Sequence, residues 1–212
     1  GGTFMRGCNA TLDAGCDEDE LTYSEIMLHP YAIDRVPVTA VAYEMCTVEG
    51  PCPAIGSDPA CAAHQLGGDW RPADCVTWYA AQQYCHWAGK ELCTEAWWER
   101  AARGGCELYD DCAADSATYP WGEASPDCAL AVFADPEQGP GCGTGASWMV
   151  GSLASGASPY GVYDLAGNAR DWILDWYHPD AYDSGPGVDP LGPTTGTHRV
   201  FQAADVDGEQ HV

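Results

Sequence analysis

Twelve cysteines, at positions 8, 16, 46, 52, 61, 75, 85, 93, 106, 112, 128 and 142, constrain this chain more than any other feature, and none follows Cys142. An even number at short separations points to a disulfide framework made in an oxidising compartment. Connectivity is not determined by spacing. The expectation is nearest-neighbour pairing: Cys8–Cys16, Cys46–Cys52, Cys61–Cys75, Cys85–Cys93, Cys106–Cys112 and Cys128–Cys142. Each pair encloses a short segment with Gly, Pro or Asp that can turn back on itself. A zinc centre is a poorer reading of the same residues. No CxxC occurs and the six histidines form no HxxxH pair, so such a site would have to be assembled from distant positions. With 25 glycines and 15 prolines in 212 residues, short elements joined by loops are expected, within one domain over 1–212.

The periodicities give few regular elements. Residues 1–7 and 25–33 read as strands, the second broken near Pro30. Thr39 reads as the N-cap of a helix that carries Val41, Ala42, Met45 and Cys46 and stops at Gly50-Pro51. A second helix is expected from about Thr77 to Ala88, with Gly89 as its stop, and a third from Thr94 to Arg103 before Gly104-Gly105. Residues 160–164 and 198–203 read as strands. Asn9-Ala10-Thr11 is a glycosylation sequon, so Asn9 is a candidate attachment site in a host that modifies such sites.

The charge is one-sided, with 32 acidic against 8 basic residues and a formal net charge of -24. Such a field repels nucleic acid and anionic membrane, attracts cations, and leaves both anionic partners excluded. No apolar run is long enough to cross a membrane.

The segment from Asp164 to Trp176, DLAGNARDWILDW, concentrates the chemistry. A Gly167-Asn168-Ala169 turn is flanked by Asp164 and Asp171, and Trp172 and Trp176 follow. Carboxylates beside a tight loop whose carbonyls turn inward give the oxygen-only shell that Ca²⁺ prefers. A capped turn with its acids in water is the plainer reading of the same residues.

Taken together, GGTFMRG at the start, AIDRVPVTAVAY, CVTWYAAQQYCHWAGKELCTEAWWERAARGG, YPWG, SPYGVYDLAGNARDW and HRVF resemble the sulfatase-modifying-factor domain of formylglycine-generating enzymes. The match runs from residue 1 to about 203. It implies an α+β, C-type-lectin-like fold, loop-rich, with two to three short helices and a small twisted antiparallel sheet. It also implies a calcium site whose side-chain ligands are Asp164 and Asp171 and whose carbonyl ligands are those of Gly167 and Ala169. Asp171 stands where the family usually has Glu, and Arg170 where it has Trp. A second family calcium site would fall within 127–145, where the motif is too divergent to name ligands. Cys93 replaces a family proline, and the family partner of Cys85 lies further toward the C-terminus. The third helix has Trp97 where a capping box would place Glu, and this extra indole is expected to be a contact residue, since Trp98 takes the family's core position.

The family's oxidases bind copper(I) through a cysteine pair beyond an Arg-Gly-Gly-Ser-Trp strand. Here the corresponding stretch reads RVFQAADV, with no cysteine after it. The expectation is therefore a domain incomplete at its C-terminus and a non-catalytic, secreted or cell-surface module. It would be stabilised by calcium, bind a protein or glycan ligand at the cell surface, or self-assemble. The alternative is a copper-dependent formylglycine-generating oxidase whose catalytic segment lies outside these residues.

Overall fold

The structure, a computed structural model, describes residues 1–11, 15–55, 70–115, 117–183 and 187–202. Among the described residues, two two-stranded antiparallel sheets and three helices of nine or ten residues carry the architecture, as the expected α+β fold requires. Strand β1 (Gly2–Arg6) pairs with β2 (Ser24–Leu28), with Phe4 opposite Ile26. Phe4, Ile26 and Leu28 bury one face against Ala96. β2 stops at Leu28, before the ladder would need an N–H from Pro30.

Helix α1 (Ala40–Glu49) starts where the Thr39 hydroxyl accepts the Ala42 N–H at 3.2 Å. It ends at Gly50, whose φ of 100° is the left-handed conformation a C-terminal glycine accommodates without a Cβ penalty. Helix α2 (Trp78–Trp87) is capped in the same way by Thr77. The two helices pack through Tyr43, Cys46, Ala80 and Tyr84. Helix α3 (Glu95–Arg103) keeps a Thr94 cap on the Trp97 N–H even without the reciprocal half of a capping box. Its Ala96, Ala101 and Ala102 are small enough to bring the helix close to both β1–β2 and the loop at Val162 and Leu165. A short turn of helix, α4 (Cys112–Asp115), follows. β3 (Asp171–Trp176) pairs with β4 (Arg199–Gln202) across an irregularity between Trp172 and Trp176, and Ile173 at its centre is fully buried.

Two expectations are corrected. Residues 160–164 form no strand, because Gly161 and Asp164 both take positive φ, 72° and 61°, which turns the chain. Regular pairing begins only at Asp171. The expected Cys85–Cys93 bridge is also not formed, since both cysteines are free. Cys85 lies on α2, and the backbone of Cys93 is held to β3, where its carbonyl accepts the Leu174 N–H at 2.7 Å. Four other pairs are joined as expected: Cys8–Cys16, Cys46–Cys52, Cys106–Cys112 and Cys128–Cys142. Cys75 is disulfide-bonded, and Cys61 lies outside the described residues, as do the end of the expected last strand and the tail beyond it.

No helix among the described residues is long and apolar enough to cross a membrane. The Cys128–Cys142 bridge closes a loop of irregular backbone, with a sequence separation of 14. By the chain-entropy relation it contributes about 3 kcal/mol. Replacing both cysteines by serine should lower the urea-unfolding free energy by about that amount, and an unchanged midpoint would show that the loop holds itself.

Candidate functional site

The turn at 164–171 is held by Asn168 rather than by its acids. The Asn168 side chain is buried and closes a ring with residue 148. Its Oδ1 accepts the Trp148 N–H at 2.7 Å, and its Nδ2 donates to the Trp148 carbonyl at 3.1 Å. Its own N–H reaches the Val132 carbonyl at 2.7 Å, with φ at 72°. Asn is among the residues that tolerate this conformation. At Gly167 an added Cβ would lie 2.4 Å from the same Val132 carbonyl oxygen, so only glycine fits. The sequence marks Asn168 as central to the turn; its clamp depends on residues 132 and 148, which no local pattern connects to it.

The clamp fixes the two acids. Asp164 Oδ2 accepts the Gly151 N–H at 2.7 Å, and burial raises its carboxyl above the usual range. Asp171 Oδ2 accepts the Trp98 indole N–H at 2.9 Å. Burial pushes the Asp171 carboxyl up to about 6, against that bond, and the Asp164 charge adds to the rise. The two acids are thus partly enclosed, and each has one carboxylate oxygen committed to an N–H donor. Among the described residues no group of three or more His, Cys, Asp or Glu is placed to hold a metal. A calcium ion would thus depend on the Gly167 and Ala169 carbonyls beside the two acids. Within 127–145, Asp127 and Asp135 accept N–H bonds from residues just after them, as Asx turns do. Arg170 places its guanidinium 5.0 Å from the centre of the Phe201 ring.

Asp171 also lines a cleft of about 410 Å³ between α2, α3 and the turn. Its walls are aromatic, with Tyr84, Trp97, Trp98, Tyr163 and Trp172 among them. Trp97 is half-buried. It stacks on Tyr31 at 5.3 Å and 7° and packs on the Phe4 cluster, so it is both core and cleft wall. Lys90, bonded to both Asp34 oxygens at 2.6 and 2.8 Å, also lines the cleft. Burial pushes the Cys93 thiol up to about 12, with the Asp171 and Cys85 charges adding to it. Burial raises Cys85 too, and the Lys90 charge opposes the rise. Asn9 is tied into an Asx turn with Thr11, while its Nδ2 donates to the Ala113 carbonyl at 3.1 Å.

Another face of α3 holds a polar cluster that the sequence does not reveal. Glu99 accepts the Gly7 N–H at 2.8 Å, the Arg103 guanidinium at 2.9 Å and the Tyr182 hydroxyl at 3.2 Å. Glu95 accepts from Gln202 at 3.2 Å. Burial raises Glu95 to about 8, with Glu99 and Asp175 adding to it, and raises Glu20 to about 7. Arg6 lies over the Tyr182 ring at 4.5 Å. These partners are too far apart in sequence for any local pattern to join them.

Comparison with known proteins places this geometry. The family described as sulfatase-modifying factor enzyme 1-like domain matches residues 1–207. A protein of Chlamydia caviae named serine/threonine-protein kinase pkn1 is 31% identical over 225 residues, covering 95% of this chain and 31% of that protein. The formylglycine-generating enzyme of Thermomonospora curvata is 38% identical over 135 residues, covering 59% of this chain and 41% of its own. The chain thus spans about a third of the length of the first curated relatives it matches. The structure of PvdO from Pseudomonas aeruginosa superposes with a TM-score of 0.74 at 22% identity, over 98% of this chain and 80% of that one. Treponema denticola variable protein 1 gives 0.67 at 20% identity, over 98% and 84%. Both structural likenesses bear on the fold, which is the α+β fold of formylglycine-generating enzymes. The chain belongs to the sulfatase-modifying factor enzyme 1-like domain family.

Proposed function

We propose that this domain is a non-catalytic binding module, exported to the cell surface or beyond and stabilised by calcium at the 164–171 turn. The observation that carries the reading is the cleft between α2 and α3. Its walls combine aliphatic side chains with Tyr84, Trp97, Trp98, Tyr163 and Trp172, and burial raises both of its thiols. A largely apolar concavity with aromatic side chains and a small set of charged ones, Asp34, Lys90, Glu91 and Asp171, suits binding. Nucleophilic chemistry requires a thiolate, and a thiol held near 12 supplies almost none at neutral pH. The occupant is a protein or glycan ligand at the cell surface, or a further copy of the chain. The disulfides support an exported location. The match to about a third of a protein named for kinase chemistry supports a module that works inside larger chains.

Calcium would be held by the Asp164 and Asp171 carboxylates and the Gly167 and Ala169 carbonyls. The ion would offset the cost of keeping the two partly buried acids ionised. Binding the folded state alone adds about 2.7 kcal/mol at a hundredfold excess over Kd, which raises the melting temperature by roughly 5–10 °C. Melts in EGTA and in Ca²⁺ should differ by that much in the wild type and coincide in Asp171→Ala. Equal wild-type melting points would remove calcium from the proposal.

The second reading is a copper-dependent formylglycine-generating oxidase, favoured by 38% identity to an enzyme of that name. Copper(I) takes soft thiolate ligands. The two readings separate in one assay. The folded domain, with and without copper, is incubated with a sulfatase-type cysteine peptide and the peptide is weighed by mass spectrometry. An unchanged peptide, together with calcium-dependent retention on glycan or surface-protein arrays, is the expected result. Aldehyde formation would establish the oxidase.

A further inference from the structure

Helix α1 buries one face and leaves the opposite face apolar. At about 100° per residue, Tyr43 and Cys46 turn into the core, while Val41, Met45 and Val48, at i, i+4 and i+7, line the far side. Met45 is 56% exposed and Val48 80%. A surface helix ordinarily carries its polar and charged residues there. Here the charges are displaced to the flanks. Glu44 lies on one side of the stripe and Glu49 on the other, both exposed, and the helix has no Lys or Arg. We propose that this outer face of α1 is a docking surface for a basic amphipathic helix of a partner protein. Apolar residues of that helix pack on Met45 and Val48, and its lysines or arginines reach Glu44 and Glu49.

The apolar surface continues past the start of α1. The Ala40 N–H donates to the Arg71 carbonyl at 2.9 Å and Thr39 bridges Pro72, so the backbone at 70–72 runs beside the first turn. Trp70, 62% exposed, comes just before, and its carbonyl accepts the Val150 N–H at 2.9 Å, next to Met149, 55% exposed. Scattered exposed apolar residues are ordinary, whereas large ones on segments tied together by backbone bonds mark an interaction surface. The platform is also pre-formed. The Thr39 hydroxyl caps α1 at one end, and the Cys46–Cys52 bridge ties the chain beyond Gly50 back to the other. Glu49 Oε2 accepts the Trp87 indole N–H at 2.7 Å, which fixes one rim carboxylate to α2. A surface already ordered in this way loses little freedom on docking. Val41, Met45, Val48 and Trp70 do not line the cleft between α2 and α3, so the inference stands apart from the reading of that cleft.

Charge decides the occupant. With 32 acidic against 8 basic residues, the domain draws cationic partners toward it before contact. A second copy would bring its own Glu44 and Glu49 against the same rim, and an anionic membrane is repelled as well. A basic amphipathic helix gains twice, since its cations meet the flanking carboxylates while its apolar row removes the stripe from water. Arg71 adjoins Trp70 at the far end of the patch, so the acidic rim is confined to the helix. α1 has ten residues and is therefore about 15 Å long, which places the contact in the small, transient class.

The test uses the folded domain and a fluorescent helical peptide of about 14 residues made of Leu and Lys, with Leu at i, i+3, i+4 and i+7. A Leu/Glu peptide of the same pattern and a Leu/Lys peptide of scrambled order are the comparisons. Anisotropy titrations should show the patterned Leu/Lys peptide binding at least about tenfold more tightly than either, and more weakly as salt is raised. Met45→Ser combined with Val48→Ser should weaken binding by about tenfold or more. Glu44→Gln with Glu49→Gln should weaken it less and make the salt dependence shallower. Leu191→Ser, which removes an exposed apolar side chain outside the patch, should leave binding unchanged. Val48→Ser alone, at the more exposed of the two sites, serves if the double variant does not fold. No binding of the patterned peptide at its highest soluble concentration would overturn the proposal. Equal affinities for wild type and the double serine variant would do the same, by showing that the acidic surface at large holds the peptide. Equal binding of the Leu/Glu peptide would remove the basic partner. Wild-type dimers in sedimentation equilibrium, or wild-type binding to phosphatidylglycerol vesicles, lost in the serine variant, would assign the face to a second copy or to a membrane instead.

Discussion

Replacing Glu95 by Gln is expected to flatten much of the pH dependence of stability between about pH 5 and 8, and to stabilise the domain by about 2–3 kcal/mol above pH 8. Glu95 opens α3 beside Glu99, Asp175 and Tyr182, and burial raises its carboxyl from 4.5 to about 8. The folded state therefore keeps a proton that the unfolded chain releases near pH 4.5. Between those values the folded state binds more protons, so stability falls as pH rises through the window and levels off above about 8. At ~1.4 kcal/mol per pH unit the upper bound is ~5 kcal/mol, and the partial exposure of the side chain lowers it to about 2–3. Glutamine keeps the shape and can still bond Gln202, while Asp175 accepts the residue-95 backbone N–H at 2.8 Å and the Gly192 N–H, neither of which involves the residue-95 side chain. Glu20, raised to about 7, acts in the same direction and remains in the variant, so a shallower slope persists. Urea denaturation at several pH values measures this directly. Parallel profiles for wild type and variant would show that Glu95 is ionised in the folded protein at neutral pH.

The helices were legible because their signals are local. Thr39, Thr77 and Thr94 each start a helix by accepting an N–H three residues on, and that motif is written in adjacent residues. The four observed bridges were legible for the same reason, since each spans a short turning segment. What was not legible is long-range. The Asn168 clamp on residue 148, the Glu99 bonds to Gly7 and Tyr182, and the cleft joining Cys93 to Asp171 connect positions that no periodicity relates. The Cys85–Cys93 expectation rested on sequence proximity and on the family resemblance, in which Cys93 replaces a proline and the partner of Cys85 lies further toward the C-terminus; the Leu174 bond to the Cys93 carbonyl is a tertiary contact that neither could reveal. The calcium expectation combined both kinds of information. The acids and the tight Gly167 are local, while the contacts of Asp171 with Trp98 and of Gly167 with Val132 are tertiary.

Arg199→Ala should destabilise the domain by about 3 kcal/mol, more than removal of a surface arginine. Strand β4 places the Arg199 guanidinium between two indoles, 3.6 Å from the centres of both the Trp78 and the Trp176 rings. Its Nη1 donates to the Leu174 carbonyl, and burial lowers its affinity for the proton slightly. The Trp78 indole is itself fixed by its N–H to the Ile173 carbonyl at 2.7 Å, so α2, β3 and β4 meet at one cation. A desolvated cation–π contact contributes up to about 2 kcal/mol, and a charged hydrogen bond about 1.5–3, with overlap between them. Lysine keeps the charge but cannot lie flat between two rings, so Arg199→Lys should lose at least half of the alanine effect. Arg199→Met keeps much of the apolar stem and isolates the charge. The order Ala, then Lys and Met, then wild type in urea midpoints is the expected ranking. A loss below ~0.5 kcal/mol for alanine would show that the two tryptophans close on each other once the arginine is gone, leaving the β3–β4 sheet to be held by its backbone ladder and Ile173 alone.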